Sequence, residues 1–189
     1  MKSWFAFSVA VALSFVGSFA AAEEVKSGLA VGEKAPVFIV TKIGGAESDG
    51  VEVGKELCYR CKYAARTQVM VFTRSTGEDV VNLTKELNSA VAKNEATQLR
   101  AFVNVLSSDR TAAEKSAKKL VADGSPQVPV VVPMESENGP ANYGINPDAE
   151  VTVLIAGKLQ VLASHGFAKG KFNADAVKAL LAEIEDAVK

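Results

Sequence analysis

Two hydrophobic periods alternate along this chain, and that alternation narrows the choice of fold more than any other feature. Three apolar runs have the length of strands: TQVMVFTR (67–74), RAFVNVL (100–106) and QVPVVVP (127–133). Between them the apolar residues recur every three to four positions. Val80, Leu83, Leu87 and Val91 mark one face of a helix over about 77–93, and Ala113, Ala117, Leu120 and Val121 mark a second. The first run is apolar almost throughout, as a central strand covered on both faces must be. Strands alternating with helices predict an α/β chain with a largely parallel sheet and helices on both faces.

The flanks add detail. APVFIVTKI (35–43) alternates like a strand, and GGAESDGVEVGKE (44–56) is rich in turn formers. Ser75-Thr76-Gly77-Glu78 and Thr111-Ala112-Ala113-Glu114 both have capping-box spacing, with Ser75 as the expected N-cap of the first helix. The second helix stops at Asp123-Gly124. After a polar loop, VTVLI and LQVLAS flank Ala156-Gly157-Lys158 as a hairpin, which makes the sheet mixed. Val177, Leu180, Leu181, Ile184 and Val188 form a last amphipathic helix.

The N-terminus has one basic residue, Lys2, an uncharged apolar stretch from Trp4 to Phe19, and then Ala20-Ala21-Ala22 before Glu23. That is the pattern of a secretory signal peptide over 1–22. Retention as an anchor is disfavoured, because the apolar core is short for a full span. Residues 23–35 read as a flexible leader, and 36–189 as one folded domain. The exported product is expected in a secreted or periplasmic space, where a disulfide can persist. With 21 basic and 22 acidic residues there is no basic stripe for a nucleic acid, and no later run is long enough to span a membrane.

Both cysteines lie in LCYRCKYAAR, just ahead of the central strand. Cys58-x-x-Cys61 can serve as a redox dithiol, a structural clip, or half of a metal site. Lys55, Arg60, Lys62 and Arg66 surround it against Glu56 alone, a field that lowers a thiol pKa. In the redox reading Cys58 attacks, Cys61 resolves, and Arg60 and Lys62 stabilise the thiolate; the partner is a protein thiol or disulfide. In the structural reading the pair clips an irregular insertion to the sheet. Zinc wants four ligands, and His165 is the only histidine. Copper(I) could take the two thiolates with Met70 or Met134. Covalent c-type haem is disfavoured, because Lys62 stands where histidine is required. No metal ligand set or cofactor is assigned.

Other candidates have plainer readings. His165 suits a turn hydrogen bond as well as general-base work. Glu135, Glu137, Asp148 and Glu150 read as a solvated loop rather than a metal site. Tyr59 and Tyr63 either form a contact face around the thiols or anchor the insertion. The glycines match no phosphate or dinucleotide fingerprint. Asn82-Leu83-Thr84 is a glycosylation sequon placed on a helix.

Four motifs in order resemble the thioredoxin-like superfamily, in its peroxiredoxin and membrane-tethered thioredoxin branch. VGEKAPVFIVT is similar to its G-x-x-A-P-x-F opening, TQVMVFTR to its first core strand, ANYGI to the Y-G-V before the terminal hairpin, and VTVLIAGKLQV to the hairpin itself. The resemblance implies a thioredoxin-like fold over most of 29–187. It also implies reactive cysteines just after the first core strand, facing a cis-proline. Here that stretch is TRSTGED, without cysteine, and Ala149 or Glu150 stands at the proline position with Pro147 upstream. The family's catalytic residues therefore do not carry over. With a strand of about 20 Å between them, Cys58 and Cys61 are expected at the opposite end of the sheet from the vacated site. Three functions stay open: thiol–disulfide exchange, a non-catalytic binding or scaffold module, and copper or zinc handling.

Overall fold

The computed structural model describes residues 25–189, so the signal-peptide reading of 1–22 lies outside the described residues. The strands are β1 (Val40–Gly44), β2 (Glu56–Leu57), β3 (Gln68–Thr73), β4 (Arg100–Val105), β5 (Val130–Pro133), β6 (Ala149–Gly157) and β7 (Gln160–Ala168). The helices are α1 (Tyr59–Tyr63), α2 (Glu78–Lys93), α3 (Arg110–Gly124) and α4 (Ala174–Ala187). One seven-stranded sheet runs in the order β2-β1-β5-β4-β3-β6-β7.

Only the centre of this sheet is parallel. β3 pairs with β4 and β4 with β5 in parallel, while the β1–β2, β1–β5, β3–β6 and β6–β7 pairings are antiparallel. This corrects the expectation of a largely parallel sheet. Only α2 and α3 serve as crossovers. Residues 134–148 form a loop with a single 3-10 turn at Ala141–Tyr143, so the chain starts β6 at the sheet end where β5 finished.

The successive steps from β3 to β4 to β5 run one way across the sheet, and right-handed crossovers then place α2 and α3 on the same face. There Val71, Val103 and Val130 meet Leu83, Leu87, Ala117 and Leu120, and α4 adds Val177, Leu180 and Ile184. The opposite face carries Met70, Phe72, Phe102, Val131 and Leu154, under Phe38, Tyr59, Tyr63 and Tyr143. Its helix is the short α1, so helices do cover both faces, though unequally.

Three local expectations change. Residues 25–35 are not a loose leader from Val25 onward, because β7 is an edge strand whose backbone groups need partners. Val25 N donates to Gly166 O at 2.8 Å, Ala35 N to Leu159 O at 3.0 Å, and the Ser27 and Thr152 hydroxyls meet at 2.6 Å. Gly166 permits this approach, since a Cβ there would stand 2.2 Å from Val25 O. Second, α2 is capped by Gly77, and Ser75 Oγ accepts from the Gly77 N–H at 3.1 Å; α3 is capped by Asp109. Third, the hairpin turns at Lys158 and Leu159, both with positive φ, as a two-residue mirror-image turn requires.

Candidate functional site

The cysteine insertion is organised by a lysine that the strand pattern should exclude. β1 alternates, and Val40, Lys42 and Gly44 are its buried positions; Lys42 is only 1% exposed. Its Nζ donates to Ala46 O at 3.0 Å, Asp49 Oδ1 at 2.8 Å and Val51 O at 2.8 Å, which uses all three ammonium protons. Asp49 Oδ1 also accepts from Val51 N at 2.8 Å, and its Oδ2 accepts from the Tyr59 hydroxyl at 2.5 Å. The carboxylate thus links the sheet to the first residue of α1.

Tyr59 and Tyr63 lie one helical turn apart and bury one side of α1. Both rings pack on Phe102, with centroids at 5.7 and 6.1 Å, and on each other at 5.5 Å. Burial, reinforced at Tyr59 by the Asp49 hydrogen bond, pushes both hydroxyl pKa values far above the ordinary tyrosine value. Both therefore remain protonated donors across the physiological range. They anchor the insertion, the plainer of their two sequence readings.

Cys58 and Cys61 form a disulfide with Cα atoms 5.2 Å apart. Cys58 is the N-cap of α1, and its Sγ accepts from Cys61 N at 3.0 Å. Cys58 is half-buried and Cys61 exposed. Closing so short a loop stabilises by about 2 kcal/mol in the chain-entropy account, less than burying two tyrosines against an aromatic wall. The pair is a surface feature on a helix held in place by other means.

The helix sits at the start of β3. Gln68 Nε2 donates to Ala64 O at 2.9 Å and approaches Arg60 O at 3.5 Å. At the other end of β3, roughly 17 Å away by strand rise, lie Ser75 and Ala149. Arg74 ties this end of β3 to the neighbouring loop: Nε donates to Ala149 O at 3.2 Å, Nη1 to Glu137 O, and Nη2 to Asn138 Oδ1 at 2.9 Å. The end of the sheet where the resemblance put reactive thiols thus carries an arginine bonded to the start of β6 and to the loop at 137–138.

The expected cations divide. Lys62 is exposed and stands four residues beyond Cys58, on the same side of the helix. Arg60 turns inward; its Nε is buried without a hydrogen-bond partner among the described residues, and its charge bears on the Tyr143 hydroxyl. Arg66 is engaged by Gln98 Oε1 at 2.9 Å and Tyr63 O at 3.2 Å. Lys55 is exposed ahead of β2.

The remaining candidates do not join the cysteines. Met70 is fully buried, with Sδ 3.9 Å from the Tyr143 hydroxyl, whereas Met134 is exposed beside Arg110. His165 Nε2 lies 2.8 Å from Glu183 Oε2 on α4, an acidic partner eighteen residues away that local sequence could not show. Glu135 accepts from Ala141 N and Glu150 from Gly170 N, so the acidic loop does not converge. Among the described residues no group of three or more His, Cys, Asp or Glu could hold a metal ion, and no helix is long and apolar enough to cross a membrane.

Sequence reasoning missed Lys42, Asp49 and Arg74. A lysine on the inward parity of VTKIG was the readable signal, since a buried lysine demands a carboxylate. Arg74 had no such signal.

No family model and no curated protein matches this chain. Solved structures do. A protein assigned as thiol:disulfide interchange protein DsbE from Chlorobium tepidum superposes with TM-score 0.63 at 18% identity, covering 85% of this chain and 99% of its own. A protein assigned as a protein disulfide isomerase from Bacteroides thetaiotaomicron gives 0.60 at 13%, over 87% and 94% of the two chains. The yeast mitochondrial 1-Cys peroxiredoxin gives 0.55 at 8%, over 83% and 75%. At these identities the likeness shows the fold, and the fold is thioredoxin-like.

Proposed function

We propose that this thioredoxin-like chain is an exported thiol–disulfide exchange protein that works through Cys58 and Cys61 rather than through the fold's customary site. The observation that carries the reading is a disulfide, exposed at Cys61, on a short helix whose other side is pinned by Tyr59, Tyr63 and Asp49. Bonds there can exchange while the backbone that presents them stays in place. Export rests on the leader at 1–22, and an oxidising compartment keeps the pair oxidised between encounters.

The order of the cysteines suggested Cys58 as the attacking thiol; their exposure favours the reverse. A partner thiolate attacks the exposed Cys61 Sγ, a new S–S bond joins partner and Cys61, and Cys58 leaves as a thiolate. The Cys61 N–H and the nearby Lys62 stabilise that thiolate, while Arg60 adds positive charge from the buried side. A second thiolate of the partner then attacks its own bonded sulfur and releases Cys61. The partner loses two electrons to the pair and ends with one disulfide. Run backwards, the same steps reduce a partner disulfide.

A Cys58→Ser variant keeps Cys61 and cannot resolve an adduct. Incubated with insulin as a model disulfide, it is expected to accumulate a mixed disulfide on Cys61 that mass spectrometry detects, while Cys61→Ser accumulates far less. Absence of adducts on both variants contradicts exchange. One observation favours a second reading, a binding module with a structural disulfide: at the customary site the stretch TRSTGED has no thiol and Arg74 is bonded to Ala149 O and Asn138 Oδ1.

A further inference from the structure

A groove of about 460 Å³ opens beside α1, within the size range of small-ligand sites. Lys62 and Tyr63 of α1 form part of its wall, together with Arg66, Arg100, Asp49 and Glu95. Three cations therefore face it. The Asp49 carboxylate is committed to Lys42, Val51 and Tyr59, which leaves Glu95 as the one acidic group on the wall whose charge is not already paired. The guanidinium groups are held from behind. Arg66 spends Nε on Gln98 and Nη1 on Tyr63 O, and Arg100 spends Nη1 on Leu99 O at 2.8 Å, so each keeps donors for a ligand. Gln98, which holds Arg66, takes a left-handed φ of 57°, a conformation non-glycine residues seldom adopt.

Tyr63 supplies the second, independent observation. It is 6% exposed, it lines the groove, and among the described residues its hydroxyl has no hydrogen-bond partner. An unpaired hydroxyl on the wall of a groove can donate to an acceptor on a ligand. A carboxylate would supply that acceptor and pair with the guanidinium groups at the same time.

We propose that this groove recognises the carboxylates of a thiol or disulfide substrate and so delivers its sulfur to the neighbouring Cys61. The proposal rests on the exchange reading above. Lys62 shares its side of the helix with Cys58, so the wall of the groove begins within one turn of the sulfurs. The shared ligand chemistry is a sulfur compound carrying carboxylates; glutathione and an acidic cysteine-containing peptide both satisfy it.

The test compares the rate at which the oxidised wild-type protein is reduced by glutathione, by the peptide acetyl-Glu-Cys-Glu-amide, and by uncharged 2-mercaptoethanol. Each charged-to-uncharged rate ratio is then measured in Tyr63→Phe, Arg100→Gln and Glu95→Gln. The ratio is expected to fall roughly tenfold in Arg100→Gln, severalfold in Tyr63→Phe, and to rise in Glu95→Gln, where the repelling carboxylate is gone. The effect should weaken in high salt. A fall confined to glutathione identifies a small-molecule substrate; a fall for both identifies an acidic protein segment. Ratios unchanged in all three variants overturn the groove and leave exchange standing. A pair that none of the three thiols reduces overturns the exchange reading itself.

Discussion

An Asp49→Ala protein is expected to lose about 3–5 kcal/mol of unfolding free energy, the cost of removing one partner from a buried ion pair. The reason is what stays behind. Lys42 Nζ would keep its two carbonyl acceptors but lose its counter-charge, inside a site where its side chain is 2% exposed. The Tyr59 hydroxyl and Val51 N–H would lose their acceptor as well. For a chain of this size the midpoint should fall by roughly 6–20 °C. The double variant Lys42→Met, Asp49→Asn should be more stable than Asp49→Ala, because no buried charge is left uncompensated and the asparagine oxygen can still accept from Tyr59. Thermal and urea unfolding of the three proteins checks both parts.

Phe102→Ala should cost a similar amount, about 3–5 kcal/mol, with a different local signature. Phe102 is fully buried and meets Phe38, Tyr59 and Tyr63 at 5.7–6.1 Å. Its loss empties the seat of α1, so the cysteine helix should open more readily than the rest of the sheet. Limited trypsin digestion reads this at Arg60, Lys62 and Arg66. Phe167→Ala, cut from the helix-covered face where the ring meets Phe172 at 5.2 Å, should lower global stability without raising cleavage at those three residues.

The fold was legible because its central strands announce themselves. TQVMVFTR, RAFVNVL and the intervening helical period are properties of local sequence, and they place β3, α2 and β4 within a residue or two. What local sequence cannot carry is direction. The antiparallel entry of β1 beside β5 depends on contacts ninety residues apart, and the docking of residues 25–35 depends on a glycine in β7. The caps illustrate the same limit at short range: Ser75 has the right spacing, but its carbonyl and amide are already engaged by Thr73, so the helix starts after it.

The site was half legible. The Cys-x-x-Cys pair and its position ahead of the core strand were readable, and so was the absence of thiols in TRSTGED. The division of labour among the cations was not. Arg60 and Arg66 look alike in sequence, yet one turns inward and the other is clamped by Gln98 from a distant loop. Nor could composition show that Arg74 would bond to Ala149 and Asn138, since those contacts need the loop at 137–149 to fold beside it.

Whether this protein exchanges disulfides is decided by the chemistry of one bond. Equilibrating the wild-type protein in a series of dithiothreitol or glutathione redox buffers, and counting free thiols by alkylation and mass, gives the reduction potential of Cys58–Cys61. An exchange centre predicts a value within about −120 to −270 mV, the span of known exchange proteins; a value below about −300 mV would mark a permanent structural bond and contradict the account.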